Sequence, residues 1–122
     1  MPILNVEVVG EVSEQVRSNL AGQLADVAGA VLGSRPQGTW VRLHFLPNSA
    51  YAENQSTSLP PQEPVFVSLT FAEVPESEDL KGLLGVLAEQ VALLVERPKE
   101  SVHLLVEPPA RGRVAFGGVL LE

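Results

Sequence analysis

From Pro2 to Val9, Leu4, Val6 and Val8 fall on one side of the chain and Ile3, Asn5, Glu7 and Val9 on the other. That two-residue period predicts a strand, which Gly10 closes. Ser13 then offers an N-cap oxygen ahead of Val16, Leu20, Leu24, Val27 and Val31, spaced as one face of a helix until Gly33 stops it. Alternation returns in TWVRLHFL, Thr39 to Leu46. The stretch PNSAYAENQSTSLPPQEP holds too many Pro, Ser and Asn residues for regular structure and predicts a long loop, a common carrier of function. Pro64 to Phe71 predicts a third strand. Ser77 opens a helix with Leu80, Leu83, Leu84, Leu87, Val91 and Leu94 on one face, and Ser101 to Val106 predicts a fourth strand.

The order strand, helix, strand occurs twice. Pro2 answers Pro64, Ser13-Glu14 answers Ser77-Glu78 and Val41-Arg42 answers Val102-His103, at offsets of 62, 64 and 61 residues. One such unit leaves its sheet under-buried, whereas two packed together give a four-stranded sheet covered by both helices. The expected fold is therefore α+β. Two pseudo-symmetric β-α-β repeats form a four-stranded sheet with two helices on one face, followed by a C-terminal hairpin. Repeat one is expected over 2–47, the long loop over 48–63, repeat two over 64–107 and the tail over 108–122, all within one domain over 1–122. Strand positions on both faces are apolar, so the uncovered sheet face is expected to be buried by oligomerisation. The tail, with Gly112, Gly117 and Gly118 for its turns, is expected to reach outward and pair with a neighbouring chain.

Composition narrows the chemistry. The 122 residues are 45% hydrophobic, enough for one compact core, and no apolar run is long enough to span a bilayer. The start lacks a signal-peptide pattern, so a soluble, cytoplasmic protein without membrane association is expected. With no cysteine and only His44 and His103, neither thiolate chemistry nor a metal site is expected. A net charge of -7 disfavours nucleic acid as a partner. Half of the eight basic residues, Arg35, Arg42, Arg111 and Arg113, stand near predicted strand ends. In an acidic chain this pattern suggests recognition of a small anion, although arginines also commonly end strands and solvate loops.

Pro2, the doubled strand-helix-strand plan and the Ala115-Phe116-Gly117-Gly118 tail together resemble the tautomerase superfamily. That group includes 4-oxalocrotonate tautomerase, 5-carboxymethyl-2-hydroxymuconate isomerase and macrophage migration inhibitory factor. The resemblance covers nearly the whole chain and is strongest from Ser101 to Gly118. It implies a homotrimer with sites at subunit boundaries, no cofactor, and a small carboxylate substrate. It also implies that Pro2, once Met1 is removed, acts as a general base in the keto-enol tautomerisation of an unsaturated 2-hydroxy or 2-oxo acid resembling hydroxymuconate.

A free α-amine titrates at about 7.7 to 8.0, and burial or a nearby arginine lowers that value towards neutrality. The resemblance places the substrate-binding arginine at Arg42, whose repeat mate is His103, and a pocket cation near Arg35. Arg111 and Arg113 on the tail are further anion-binding candidates. Tyr51 is a candidate donor or wall, and Phe116 a candidate wall. Val12 stands where the oxalocrotonate type has an arginine, and Val114 where it has an aromatic residue. His103 is expected to be a partly buried, hydrogen-bonded strand residue, and Glu7, Glu53 and Glu107 solvated carboxylates. Alternatives are a non-catalytic binding protein of the inhibitory-factor type, a related hydratase, dehalogenase or decarboxylase, and, last, a small-molecule-sensing ferredoxin-like module.

Overall fold

The computed structural model describes residues 2–57 and 63–122. Met1, and residues 58–62 of the expected loop, lie outside the described residues. Four strands, β1 (Ile3–Val9), β2 (Trp40–Leu46), β3 (Val65–Thr70) and β4 (Val102–Val106), form one sheet in the order β2-β1-β3-β4. β1 and β2 run parallel, as do β3 and β4, and the antiparallel pairing of β1 with β3 joins the two halves. Each parallel pair is bridged by a helix, giving two β-α-β units.

The helix expected between Ser13 and Gly33 is in two pieces, α1 (Glu14–Arg17) and α2 (Leu20–Leu32). Ser13 caps the first as expected, its Oγ accepting from the Val16 amide at 3.2 Å. The break at Ser18 and Asn19 uses residues whose side chains compete with helical backbone bonding. Arg17 lies over the Phe45 ring at 4.0 Å, which holds α1 against β2. In the second unit α3 (Ser77–Val95) runs unbroken.

Leu20, Leu24 and Ala28 of α2 and Leu87, Val91 and Val95 of α3 form one core with Leu4, Val6, Val8, Val65, Val67 and Leu69 of the central strands. Both helices therefore cover the face to which even-numbered β1 residues point. The other face is open and more mixed than the expectation of apolar strand positions on both faces. Its rows read Trp40, Ile3, Thr70; then Arg42, Asn5, Ser68, Leu105; then His44, Glu7, Phe66, His103. Apolar residues are there, but they are interleaved with Asn5, Glu7, Arg42 and His44, the polar half of the two-residue alternation in β1 and β2.

The facing of the strands also corrects the repeat alignment. Leu4, Val6 and Val8 share the core face with Val65, Val67 and Leu69, so the offset between repeats is odd, and a value of 61 residues sets the Leu4–Val41 pair on the Val65–Val102 pair. Arg42 thus answers His103, as expected. Ile3, rather than Pro2, answers Pro64, and Pro2 answers Glu63.

The tail forms a hairpin of two short strands, β5 (Ala115–Phe116) and β6 (Val119–Leu120), joined by Gly117 (φ 58°) and Gly118 (φ 86°). Positive φ at both central residues defines a tight primed turn that glycine adopts without strain. Within the single chain the hairpin folds back so that Phe116 meets Trp40 of β2, and its base is closed by two bonds inside the tail. The Gly112 amide donates to the Leu121 carbonyl at 2.7 Å and the Leu121 amide to the Val114 carbonyl at 2.9 Å. Among the described residues, no helix is long and apolar enough to cross a membrane.

Candidate active site

Pro2 is buried where β1 begins, and its carbonyl accepts the Trp40 amide at 3.1 Å, extending the β1–β2 ladder one residue beyond Ile3. In the encoded chain Met1 acylates the Pro2 nitrogen, so a free secondary amine exists there only after Met1 is cleaved.

Beside this strand mouth, α2 ends at Gly33 (φ 68°) and the chain turns through Arg35, Pro36, Gln37 and Gly38. The Gly38 amide donates to the Arg35 carbonyl at 2.9 Å, and Gln37 takes φ 65°. Proline followed by a positive-φ residue is the type II turn pattern, in which glycine is usual at the place Gln37 fills. The turn is braced on both flanks. The Trp40 indole Nε1 donates to the Gln37 carbonyl at 3.0 Å, and the hydroxyls of Ser34 and Thr39 hydrogen-bond across its base. Gly38 is required by close approach, because a Cβ there would lie 2.9 Å from the Arg35 carbonyl oxygen.

The hairpin supplies the opposite wall. Phe116 meets Trp40 edge to face, with centroids 5.5 Å apart and planes at 86°. Between turn, strand mouth and hairpin is a cavity of about 380 Å³ lined by Ile3, Trp40, Phe116 and Leu121 on its apolar side and by Arg35, Gln37 and Gly38 on the other. Arg35 is exposed and makes no ion pair among the described residues, so its planar fork is available to a carboxylate. The arrangement can hold a small anion by one end and a flat apolar group by the other.

The remaining sequence candidates are not gathered here within one chain. Arg42 is exposed on the open face, paired with Asn5 and one row in from the Ile3–Trp40 pair. Two residues along a strand is about 6.6 Å, so its long side chain starts near the cavity without lining it. Tyr51 is at the far end of the sheet, its ring 5.9 Å from Phe66 and its hydroxyl donating to Glu53 at 2.6 Å. That hydrogen bond, reinforced by burial and by the Glu53 charge, raises the Tyr51 pKa. Arg111 is engaged by Glu73 at 2.8 Å and by the Glu122 main-chain oxygen, and Arg113 is exposed on the tail. His103 is exposed rather than partly buried, tilted against Phe66 at 5.6 Å. Its alternation parity, odd where Val102 is buried, carried that signal. Trp40 and Gln37 were not singled out from sequence. Trp40 could have been, as the chain's one tryptophan standing two residues before Arg42 on the same face.

No family model matches this chain, and no curated protein matches it. Solved structures do. A fused 4-OT wild-type symmetric trimer superposes with a TM-score of 0.80 at 12% identity, over 98% of this chain and 94% of that one. Pt0534 inactivated by 2-oxo-3-pentynoate gives 0.79 at 16% identity, again over 98% and 94%. FG41 malonate semialdehyde decarboxylase inhibited by 3-bromopropiolate gives 0.72 at 16% identity, over 94% of this chain and 88% of that one. At such identities the likeness establishes the architecture. The chain has the fold of the tautomerase superfamily.

Proposed function

We propose that the protein is a cofactor-independent isomerase that ketonises a small unsaturated 2-hydroxy acid, with Pro2 as the proton carrier once Met1 has been removed. The observation that carries this reading is the juxtaposition at the start of β1. Pro2 is buried at a strand mouth, and the adjacent residue lines a cavity holding two aromatic walls and an arginine that makes no ion pair among the described residues. The likeness to fused 4-OT supports the reaction class, and the trimers named among those structures support a homotrimer.

In this reading the neutral Pro2 amine takes the proton of the substrate's 2-hydroxyl. The electrons move through the diene, and the resulting prolinium returns the proton to carbon, leaving the 2-oxo acid. A base must be unprotonated to begin, and burial favours that form by disfavouring the charged ammonium. Arg35 binds the carboxylate beside the 2-position and stabilises charge developing on the neighbouring oxygen. Arg42 supplies a second cation at the cavity's approach. Pro2 and Arg35 thus carry the reaction, and Arg42 is the reserve assignment.

The test follows ultraviolet absorbance during ketonisation of 2-hydroxymuconate and of 2-hydroxypenta-2,4-dienoate, which has one carboxylate fewer. Protein whose intact mass shows loss of Met1 is compared with its Pro2→Ala variant. Loss of a general base lowers the rate by about 10² to 10⁴. Equal rates in both proteins, on both acids, refute the proposal. The likeness to a malonate semialdehyde decarboxylase favours one second reading, decarboxylation at the same site, which the same pair tests on malonate semialdehyde.

A further inference from the structure

The cavity beside Pro2 is chemically lopsided. Its cationic side consists of Arg35 on the 35–38 turn, with the Gln37 side chain and the Gly38 backbone next to it. Among the described residues, the lining that faces the turn is hydrocarbon or aromatic ring: Ile3, Trp40, Phe116 and Leu121. The one polar atom that Trp40 has, its indole N–H, is already committed to the Gln37 carbonyl at 3.0 Å. The apolar wall therefore offers an anion no donor from Trp40, Phe116, Ile3 or Leu121 side chains.

We infer that this site selects ligands with one carboxylate and a flat apolar tail, an aryl or dienyl monocarboxylate, and discriminates against dicarboxylates of similar length. This inference rests on the proposed function for its relevance to catalysis, but not for the binding it describes. A carboxylate held by Arg35 directs the rest of a flat ligand between Trp40 and Phe116, whose edge-to-face packing presents ring faces and edges that favour π-systems. A second carboxylate carried to that wall would shed part of its water without gaining a hydrogen bond from it, which is unfavourable. At about 380 Å³ the cavity is near the lower end of the roughly 300–1,000 Å³ typical of small-molecule sites, suited to one ring and one acid group.

Two features make the turn a rigid selector. Gln37 is held at φ 65°, a conformation uncommon for a residue with a side chain, and Trp40 and the Ser34–Thr39 pair fix the turn from both flanks. Such over-determined strain clusters at binding sites because it holds a group where a relaxed chain would not. Here the segment held is the backbone from which the Arg35 side chain projects.

Trp40 is the chain's one tryptophan, so its fluorescence reports directly on the cavity wall without any turnover. The experiment titrates the full-length protein with trans-cinnamate and, separately, with cis,cis-muconate, exciting at the red edge of the indole band. Wild type is compared with Arg35→Ala and with Lys81→Ala, which removes a positive charge from the outer face of α3 and controls for net charge. Cinnamate is expected to give a saturable change, weakened about tenfold or more in Arg35→Ala and unchanged in Lys81→Ala. Muconate is expected to bind at least about tenfold more weakly than cinnamate, on the same account of a desolvated second carboxylate. Muconate binding as tightly as cinnamate, cinnamate affinity unaffected by Arg35→Ala, or no saturable response to cinnamate would each overturn the inference. If binding follows this pattern while Pro2→Ala keeps the wild-type ketonisation rate, the proposed function fails and the selectivity stands.

Discussion

Replacing Gly10 with alanine should destabilise the fold by about 2–4 kcal/mol, and roughly half of that should disappear when Glu63 is already alanine. Gly10 has φ 89°, and a Cβ built there would lie 1.8 Å from Glu63 Oε2 and 2.6 Å from its Cδ. Left-handed backbone costs an alanine about 1–2 kcal/mol. The same Glu63 oxygen accepts the Glu11 amide at 3.2 Å and Asn48 Nδ2 at 3.1 Å, so moving the carboxylate aside breaks both bonds. Those bonds are exposed, and about 0.5–1 kcal/mol each is a fair figure. Glu63→Ala alone should then cost about 1–2 kcal/mol, and the double variant no more than Gly10→Ala, because the bonds can be lost only once. Urea denaturation of the four proteins, with unchanged m-values, measures the cycle. Additive losses, to within about 0.5 kcal/mol, would show that the carboxylate swings away without cost. A Gly10→Ala protein as stable as wild type would refute the backbone argument too.

Arg97 donates to the carbonyls of Glu63 at 2.7 Å, Pro64 at 3.4 Å and Glu11 at 3.3 Å, so Arg97→Ala should cost about 1.5–3 kcal/mol in the same assay. Burial lowers the Arg97 pKa, but a guanidinium remains charged at any physiological pH, and this loss should not vary between pH 6 and 8, a range of about two units around neutrality. Tyr51 is the chain's one tyrosine, so its ultraviolet titration is unobstructed. Glu53→Gln should move its midpoint down towards the ordinary value near 10.0, and an unchanged midpoint would remove Glu53 as the cause. With Met1 removed, kcat/KM for ketonisation should fall as pH drops through the Pro2 pKa, since the neutral amine is the working form, with a midpoint below the roughly 7.7–8.0 of a free α-amine. A limb at or above that value would argue against burial of the amine. Sedimentation at micromolar concentration should give a trimer, and a stable monomer would dismiss sites assembled between chains.

The helix-facing side of every strand was legible because Leu4, Val6 and Val8, or Val65, Val67 and Leu69, leave a strict two-residue signature. The break between α1 and α2 was not, because the apolar stripe from Val16 to Leu24 passes straight through it and only Ser18 and Asn19 mark the interruption. Facing explains the misaligned repeat. Two prolines near strand starts look equivalent in sequence, yet a shift of one residue exchanges the two faces of a strand, and the core face shared by Leu4 and Val65 makes Ile3, not Pro2, the counterpart of Pro64. Of the site, Pro2, Arg35 and Phe116 were singled out from sequence and are brought to one end of the sheet. Trp40 and Gln37 escaped notice because their contribution depends on a turn whose geometry, not composition, aims them. Tyr51 stood on an attractive loop but packs on Phe66, at the opposite end.

The antiparallel join between β1 and β3 puts the beginnings of the two β-α-β units at opposite ends of the sheet. With the offset of 61 residues, the counterpart of the cavity beside Pro2 is the region around Glu63 and Ser101. There Arg97 reaches across to three carbonyl oxygens and Glu63 bonds the chain after β1. One end of a nearly symmetric frame is thus open and its mate is clasped shut. Ligand titrations should accordingly reach a stoichiometry of one molecule per chain, even though the architecture is built from two similar halves.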